Sequence, residues 1–309
     1  MDPRDEGIHD YPKDLETAWK ENWYFNFIDR KNRAWGINHI SLMRHTNQGR
    51  FTAIHVVDDE ILPYSNLMDI ENLRETADGK LRFEFPEPFK KFRVSFSGPW
   101  HQVEIEYEAL FPAHDYGKSE EGREGGNRAL SVRHYRQALR ARGELTKDGR
   151  TRPIECVCDR DHTWGYRDEG LLTGWNWVGV YFPDRTINLH RILMGGRAFA
   201  AGYVSTARGN TPVVRLEVEG TRFVDGGPVS AVYTGYDRQG RVLAKVSSAM
   251  FSTLRMPMPR TDADRVMMLH ENFAEFTDLR TGEKCEGIDE YLIHPDEPYH
   301  ERPGEPARP

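Results

Sequence analysis

The chain has 309 residues, a formal net charge of −7 and a hydrophobic fraction of 38%. The acidic balance argues against nucleic acid as a partner, because a phosphate backbone is bound by clustered positive charge. No apolar run is long enough to span a membrane, and the acidic residues 1–16 do not have the pattern of a signal peptide. Three cysteines cannot all pair, so we expect free thiols and a cytoplasmic protein.

The N-terminal half alternates apolar and polar residues in short runs that are separated by turns. After a helical pattern over residues 13–21, strands are predicted at residues 23–29, 34–43, 51–57, 81–85, 92–97 and 102–108. This alternation is typical of antiparallel sheets that have one face in water. Residues 113–130 are glycine-rich and charged, which predicts a mobile loop.

The C-terminal half continues the same pattern, and turn residues separate its runs at hairpin intervals. Strands are predicted at residues 154–158, 174–182, 186–194, 198–206, 213–218, 228–236, 242–250 and 269–277. The fold class is therefore all-β, with barrels or sandwiches built from antiparallel meanders. We expect an N-terminal extension over residues 1–14, β domains over 15–150 and 151–294, and a disordered tail over 295–309.

The stretch from residue 159 to residue 182 combines tryptophan with charge. Three of the seven tryptophans of the chain, Trp164, Trp175 and Trp177, lie there beside several acids, arginines and a histidine. Solvated loops seldom carry so much indole, and core strands seldom carry so much charge. The combination predicts a polar site in a cavity with aromatic walls.

Part of this stretch resembles a known family. Asp161, His162, Trp164 and Gly165 form an Asp-His-x-Trp-Gly element, and here the chain is similar to the carotenoid 1,2-hydratase/AttH-like superfamily. The resemblance implies two tandem lipocalin-like β domains. It also implies water addition, elimination, isomerisation or cyclisation on apolar terpenoid-, steroid- or polyketide-like molecules. Members of the superfamily differ widely in chemistry, so the fold transfers more strongly than the function.

Hydration or isomerisation of an alkene needs a strong proton donor and a wall that tolerates positive charge. A carboxylic acid in a dry aromatic pocket supplies the donor, and indole faces supply the wall through cation–π attraction of about 1–2 kcal/mol each. We therefore expect Asp161 to be the acid and His162 to be its partner or the base that activates water. Arg167 would set the charge of the carboxylate or bind a substrate oxygen.

Further side chains are candidates for lining the substrate cavity. These substrate-binding candidates are Trp164, Trp175, Trp177, Tyr181, His190, Asn38 and Glu271. No cofactor is expected, and no metal, because the sequence has no HExxH motif, no paired histidines at ligand spacing and no Asp-rich calcium loop. The hypothesis is thus a cofactor-independent lyase or isomerase that binds a small apolar molecule.

Other interpretations of the same residues stay open. Asp161 and Arg167 could belong to a buried ion-pair network, and Trp175 and Trp177 could be ordinary core residues. The chain would then be a lipocalin-like carrier of a hydrophobic ligand rather than an enzyme. Edge strands also allow a homodimer.

Overall fold

The computed structural model describes residues 2–11, 19–116, 130–167, 172–194, 197–259 and 266–293. These residues form nineteen β-strands and two short 3-10 helices, which confirms the predicted all-β class. Among them, no helix is long and apolar enough to cross a membrane. Most of the predicted loop at 113–130 and the whole predicted tail at 295–309 lie outside the described residues.

The chain divides into two compact units, residues 1–168 and residues 169–309. This boundary lies later than the one expected after residue 150. The reason is that β10 (Arg150–Arg167) pairs with both β9 (Leu130–Lys147) and β1 (Trp19–Asp29). A strand that is hydrogen-bonded on both sides belongs to its sheet over its whole length.

The first unit is a curled antiparallel sheet of ten strands. Its other strands are β2 (Ala34–Met43), β3 (Gln48–Val57), β4 (Glu60–Asp69), β5 (Leu81–Glu87), β6 (Lys91–Ser97), β7 (His101–Ala109) and β8 (His114–Asp115). The order is β4-β3-β2-β1-β10-β9-β7-β6-β5, and β8 also pairs with β9. The interior face buries many aromatic residues, among them Phe83, Phe96 and Tyr107.

The N-terminal segment, residues 2–11, packs on this first sheet. It contains the 3-10 helix Pro3–Glu6, whose first turn is capped because the Asp2 carboxylate accepts a hydrogen bond from the Arg4 backbone N–H. The helix predicted over residues 13–21 is not found in its described part, where β1 begins at Trp19. The strand β1 thus begins within the range that the helical pattern had predicted to be helix. Residues 12–18 lie outside the described chain.

The second unit is a curled antiparallel sheet of nine strands. They are β11 (Leu172–Tyr181), β12 (Arg185–Met194), β13 (Arg197–Thr206), β14 (Gly209–Val213), β15 (Arg215–Val224), β16 (Gly227–Tyr236), β17 (Val242–Pro259), β18 (Val266–Asp278) and β19 (Lys284–Ile293). Their order is β14-β13-β12-β11-β19-β18-β17-β16-β15. Val178, Val180, Leu189 and Phe276 mark the interior face of this sheet.

Candidate functional site

His162 lies on β10, on the interior face of the first sheet. It faces Trp23 across the β1–β10 pair, and the two rings stack with centroids 4.4 Å apart and 20° between their planes. The Trp164 ring follows on the same face, 4.8 Å from the imidazole. The His162 side chain is fully buried. An imidazole is therefore enclosed between two indoles.

Both ring nitrogens of His162 have hydrogen-bond partners. Nε2 lies 3.0 Å from Glu21 Oε1, and Nδ1 lies 3.0 Å from the Tyr135 hydroxyl. The same hydroxyl donates to Glu6 Oε2 at 2.8 Å and lies 3.1 Å from the Asp5 carbonyl. Because a tyrosine hydroxyl has one proton and both of these oxygens only accept, the proton between Tyr135 and His162 belongs to Nδ1. Nε2 is then the nitrogen that exchanges a proton with Glu21.

The environment adjusts the charge of this histidine–carboxylate pair from both sides. Burial lowers the pKa of His162, and the hydrogen bond to Glu21 opposes that change. Burial by itself raises the pKa of Glu21, but hydrogen bonds from His162 and His9 hold that pKa below its usual value. A proton held between two such groups can be given to a substrate or accepted from one.

His9 brings the N-terminal segment into the site. Its Nδ1 lies 2.7 Å from Glu21 Oε1, its backbone N–H donates to Glu21 Oε2 at 3.1 Å, and its ring stacks on Trp164 at 4.1 Å. One ligand atom from each of His9, Glu21 and His162 lies within 4.8 Å of the other two. Two imidazoles and a carboxylate are a usual zinc donor set, so these residues could hold a divalent metal ion.

Arg160 places a second charge in the same interior. Its guanidinium is fully buried and donates to the two Glu6 carboxylate oxygens at 2.5 and 2.7 Å and to Gln137 Oε1 at 3.2 Å. It also lies 4.0 Å from the centroid of the Phe92 ring. Glu6 therefore joins Arg160 to Tyr135, and through Tyr135 to His162.

Asp161 points to the opposite face of β10 from His162. It pairs with Tyr24 in the strand register and is half-buried. The expected acid–histidine partnership is therefore corrected: the carboxylate beside His162 is Glu21, because successive residues of a strand face opposite sides. The Arg167 side chain lies outside the described part of the chain.

Asn38 lies in the first sheet but belongs to a different polar group. Its side-chain oxygen accepts a hydrogen bond from His55 Nε2 at 3.1 Å, and His55 Nδ1 lies 2.8 Å from His101 Nε2. Burial lowers the pKa of His55 well below its usual value, so its ring is neutral. A neutral ring that donates to Asn38 accepts from His101, which accounts for this chain of contacts.

The remaining candidates lie in the second unit. Trp177 and His190 are a cross-strand pair on β11 and β12, and their rings stack with centroids 4.3 Å apart. Trp175 Nε1 donates to Glu290 Oε1 at 2.6 Å. These residues occupy the face of the sheet opposite Val178 and Val180. Trp175 packs there against a second apolar cluster, which is formed by Leu172, Met267 and Leu292.

Tyr181 and Glu271 are also buried in the second unit. A Cβ atom added to Gly179 would lie 2.5 Å from the Tyr181 hydroxyl, so the glycine provides the space that this ring uses. Glu271 lies on β18, 1% exposed. The structure thus brings His162 and Trp164 together in one unit, and Trp177 and His190 together in the other.

Sequence reasoning missed the residues that surround His162. Glu6, His9 and Glu21 come from the start of the chain, and Tyr135 comes from β9. One signal was available for Glu21, because it shares the alternating aromatic face of β1 with Trp23. An acid on an otherwise apolar strand face is rarely buried without a function or a charged partner.

The chain belongs to the family described as "Domain of unknown function (DUF7064)", whose model matches residues 2–293. Among solved structures it is similar to a putative AttH from Nitrosomonas europaea, with a TM-score of 0.70 and 11% identity over 94% of this chain and 95% of that one. It is also similar to CghA, with a TM-score of 0.65 and 12% identity over 93% and 94% of the two chains. No curated protein matches the sequence.

Kievitone hydratase from Nectria haematococca is a further structural neighbour. The TM-score is 0.60, with 12% identity over 89% of each chain. Together these similarities confirm the fold of two tandem lipocalin-like β domains that the resemblance at residues 161–165 had implied. A fold of this kind is used by at least one protein named as a hydratase.

Proposed function

We propose that this member of the DUF7064 family is a cofactor-independent hydratase, dehydratase, isomerase or cyclase. It acts by acid–base chemistry on an apolar molecule of terpenoid, steroid or polyketide type. The observation that supports this most is the His162–Glu21 pair, which is fully buried with indole rings on either side. The fold shared with kievitone hydratase supports the general class of reaction and nothing finer.

In the proposed hydration, His162 first takes up a proton at Nε2. Because burial lowers its pKa, the imidazolium so formed is a stronger acid than a free one, and it gives that proton to one carbon of an alkene. The rings of Trp23 and Trp164 stabilise the positive charge that develops on the other carbon. Water then attacks that carbon and loses a proton to Glu21, which returns it to Nε2. Tyr135 accepts from Nδ1–H throughout and so keeps the ring in the required orientation. Elimination is the same sequence in reverse.

Substrate reaches this pair from the side of His9. The His9 side chain is 20% exposed, whereas the side chains of Glu21 and His162 are not exposed at all. His9 also covers the face of Trp164, against which the apolar part of a substrate would pack. When the substrate binds, it therefore replaces the His9 ring on the face of the Trp164 indole.

The test is conversion of a mixed terpenoid, steroid and polyketide extract, followed by chromatography and mass spectrometry. Wild type should change at least one component by the mass of one water or into an isomer. His162→Asn and Glu21→Gln should bind the same component and convert it roughly 100-fold more slowly or worse. His45→Asn, at an exposed histidine, is the matched control and should behave as wild type.

Two results would contradict the proposal. If wild type and all variants retain the same ligand unaltered, the protein is a carrier of a hydrophobic ligand. If Asp161→Asn abolishes conversion and His162→Asn does not, the acid is Asp161, on the other face of β10. Thermal unfolding of each variant shows whether a loss of conversion comes from a loss of fold.

A further inference from the structure

The interior of the second sheet contains a buried carboxylate that the proposed chemistry does not use. Asp289 lies on β19 opposite Val178 of the interior core and is fully buried. Its Oδ1 accepts hydrogen bonds from the Tyr233 hydroxyl at 2.7 Å and from Asn176 Nδ2 at 3.0 Å. The Tyr291 hydroxyl lies 2.7 Å from that of Tyr233 and continues the chain of bonds. We refer to Asp289, Asn176, Tyr233 and Tyr291 as the Asp289 cluster.

The other oxygen of this carboxylate is unpartnered. Among the residues that the structure describes, Asp289 Oδ2 has no hydrogen-bond partner and Asp289 forms no ion pair. The Ser248 hydroxyl accepts a hydrogen bond from the Ala231 backbone N–H at 3.1 Å and lies 3.5 Å from the Ala231 carbonyl. It is near enough to Asp289 to lower the pKa of that carboxyl, but it forms no hydrogen bond with Oδ2. Buried acceptors are rarely left without a donor in folded proteins.

A second acceptor in the cluster is also unpartnered. The amide nitrogen of Asn176 donates both to Asp289 Oδ1 and to the Glu290 backbone carbonyl, and these two contacts fix which end of the amide is nitrogen. Asn176 Oδ1 then has no partner in the described part of the chain. Two buried oxygens on neighbouring strands therefore have no hydrogen-bond donor among the described residues.

A polar row leads from this cluster toward the surface. The strand register places Asn176, Tyr291, His270 and Arg255 side by side across β11, β19, β18 and β17. Arg255 is exposed, and His270 is buried with its Nδ1 lacking a partner within the described residues. A Cβ atom at Gly227 would lie 3.1 Å from Arg255 Nη2 and 3.4 Å from His270 Nδ1, so both side chains pack closely against this glycine.

We propose that the Asp289 cluster is a second acid–base site, which binds a phenolic or alcoholic hydroxyl of an otherwise apolar molecule. The ligand O–H donates to Asp289 Oδ2, and its proton can pass to that oxygen and back, with no change in the number of protons in the complex. The tyrosine rings and the apolar interior enclose the rest of the molecule. The site does not depend on the chemistry proposed at His162.

The charge state of Asp289 agrees with such a role. Burial raises its pKa to about 6, while the nearby Ser248 hydroxyl and the hydrogen bonds from Tyr233 and Asn176 limit the rise. Because Oδ1 already accepts two donors, the carboxyl proton sits on Oδ2 when the group is neutral. The titrating oxygen is thus the one that faces the ligand.

The experiment uses p-nitrophenol as the probe, because its phenol and phenolate forms absorb at different wavelengths. Bound beside Asp289 at pH 7.5, the probe should be held as the phenol, since a nearby carboxylate disfavours phenolate. We expect wild type to raise the pKa of the bound probe by about one unit, which is a roughly tenfold shift in its ionisation. Asp289→Asn should lose that shift.

Glu290→Gln is the matched control, because Glu290 is the adjacent acid on the opposite face of β19. It should leave the shift of the probe unchanged. Should Asp289→Asn fail to fold, Tyr233→Phe gives the same test. Without the hydrogen bond from Tyr233, the Asp289 carboxyl is neutral more of the time. It then disfavours phenolate less, so the rise in the pKa of the bound probe should become smaller.

Some results would overturn the proposal. It fails if wild type does not alter the absorbance of the probe, or if Asp289→Asn or a folded Tyr233→Phe alters it as much as wild type does. The carboxylate would then be a structural group satisfied by water. The readout is binding, so failure of the proposed reaction at His162 would leave this result standing.

Discussion

The Glu6 carboxylate binds the buried Arg160 guanidinium, 154 residues further along the chain, through two hydrogen bonds of 2.5 and 2.7 Å. This contact fixes the N-terminal segment onto the interior of the first sheet. The same carboxylate accepts from Tyr135, whose hydroxyl determines the orientation of His162. A residue near the start of the chain therefore helps to position a histidine in the middle of it.

Glu6→Gln should strongly destabilise the first unit. It removes the charge that compensates a buried guanidinium, and breaking a buried ion pair in this way costs about 3–5 kcal/mol. Urea unfolding measures the change in free energy. Glu106→Gln is the matched control, because Glu106 pairs with Arg93 at 2.9 Å on the exposed surface, where solvent screens the pair, and it should change the free energy of unfolding far less. Equal effects of the two substitutions would contradict the role of Glu6.

The His162–Glu21 pair should make the protein less stable in acid. The folded-state pKa of His162 is lowered, so the unfolded chain binds its proton first and stability falls as the pH drops below about 6.5. The pKa of Glu21 is also lowered, so its contribution is present above its usual pKa and is lost as the pH falls below that value. Both groups act in the same direction.

Thermal unfolding of wild type and His162→Asn between pH 8 and pH 5 measures this effect. The advantage in melting temperature of wild type over the variant should shrink below pH 6.5. His45→Asn, at the exposed site, should show no such pH-dependent difference. If the difference in melting temperature between wild type and His162→Asn stays constant or grows as the pH falls, the pKa of His162 is not lowered in the folded protein.

Asp289 should have the opposite pH dependence. Its folded-state pKa is raised from 3.8 to about 6, so its contribution to stability is present below pH 3.8 and is lost as the pH rises to about 6. The total loss is roughly 3 kcal/mol, from 1.36 kcal/mol per pKa unit. Unfolding of wild type and Asp289→Asn at pH 4 and pH 7 checks it. The free energy of wild type relative to the variant should be lower at pH 7.

Gly179→Ala should destabilise the second unit by about 1–3 kcal/mol, because the added methyl group overlaps the buried Tyr181 ring. The new Cβ would lie 2.5 Å from the hydroxyl and 2.9 Å from ring carbons. Gly7→Ala is the control, since its Cβ would meet its nearest neighbour at 3.6 Å, an ordinary contact. Denaturant unfolding that shows equal stability for the two variants would be evidence against this packing.

The sequence predicted the fold better than it predicted the residues of the site. Alternation identifies individual strands, and residues two apart on a strand, such as His162 and Trp164, share a face. It does not identify which strands pair, so it could not show that β1 lies beside β10 and brings Glu21 to His162. Asp161 is the charged residue next to His162 in the sequence, so it was predicted to be the acid. Neighbouring residues on a strand point to opposite faces, however, and their side chains lie apart.

Local sequence by itself determined the all-β class, because strand periodicity and turn chemistry are local properties. It also contains the element at residues 161–165 that resembles a known family. The tertiary structure decided the partners of each buried polar group. Glu6 and Arg160 meet because the N-terminal segment lies against β10, and Asn176 and Asp289 meet because β11 pairs with β19. Such contacts join residues more than a hundred positions apart, and their formation depends on the whole sheet burying its apolar face.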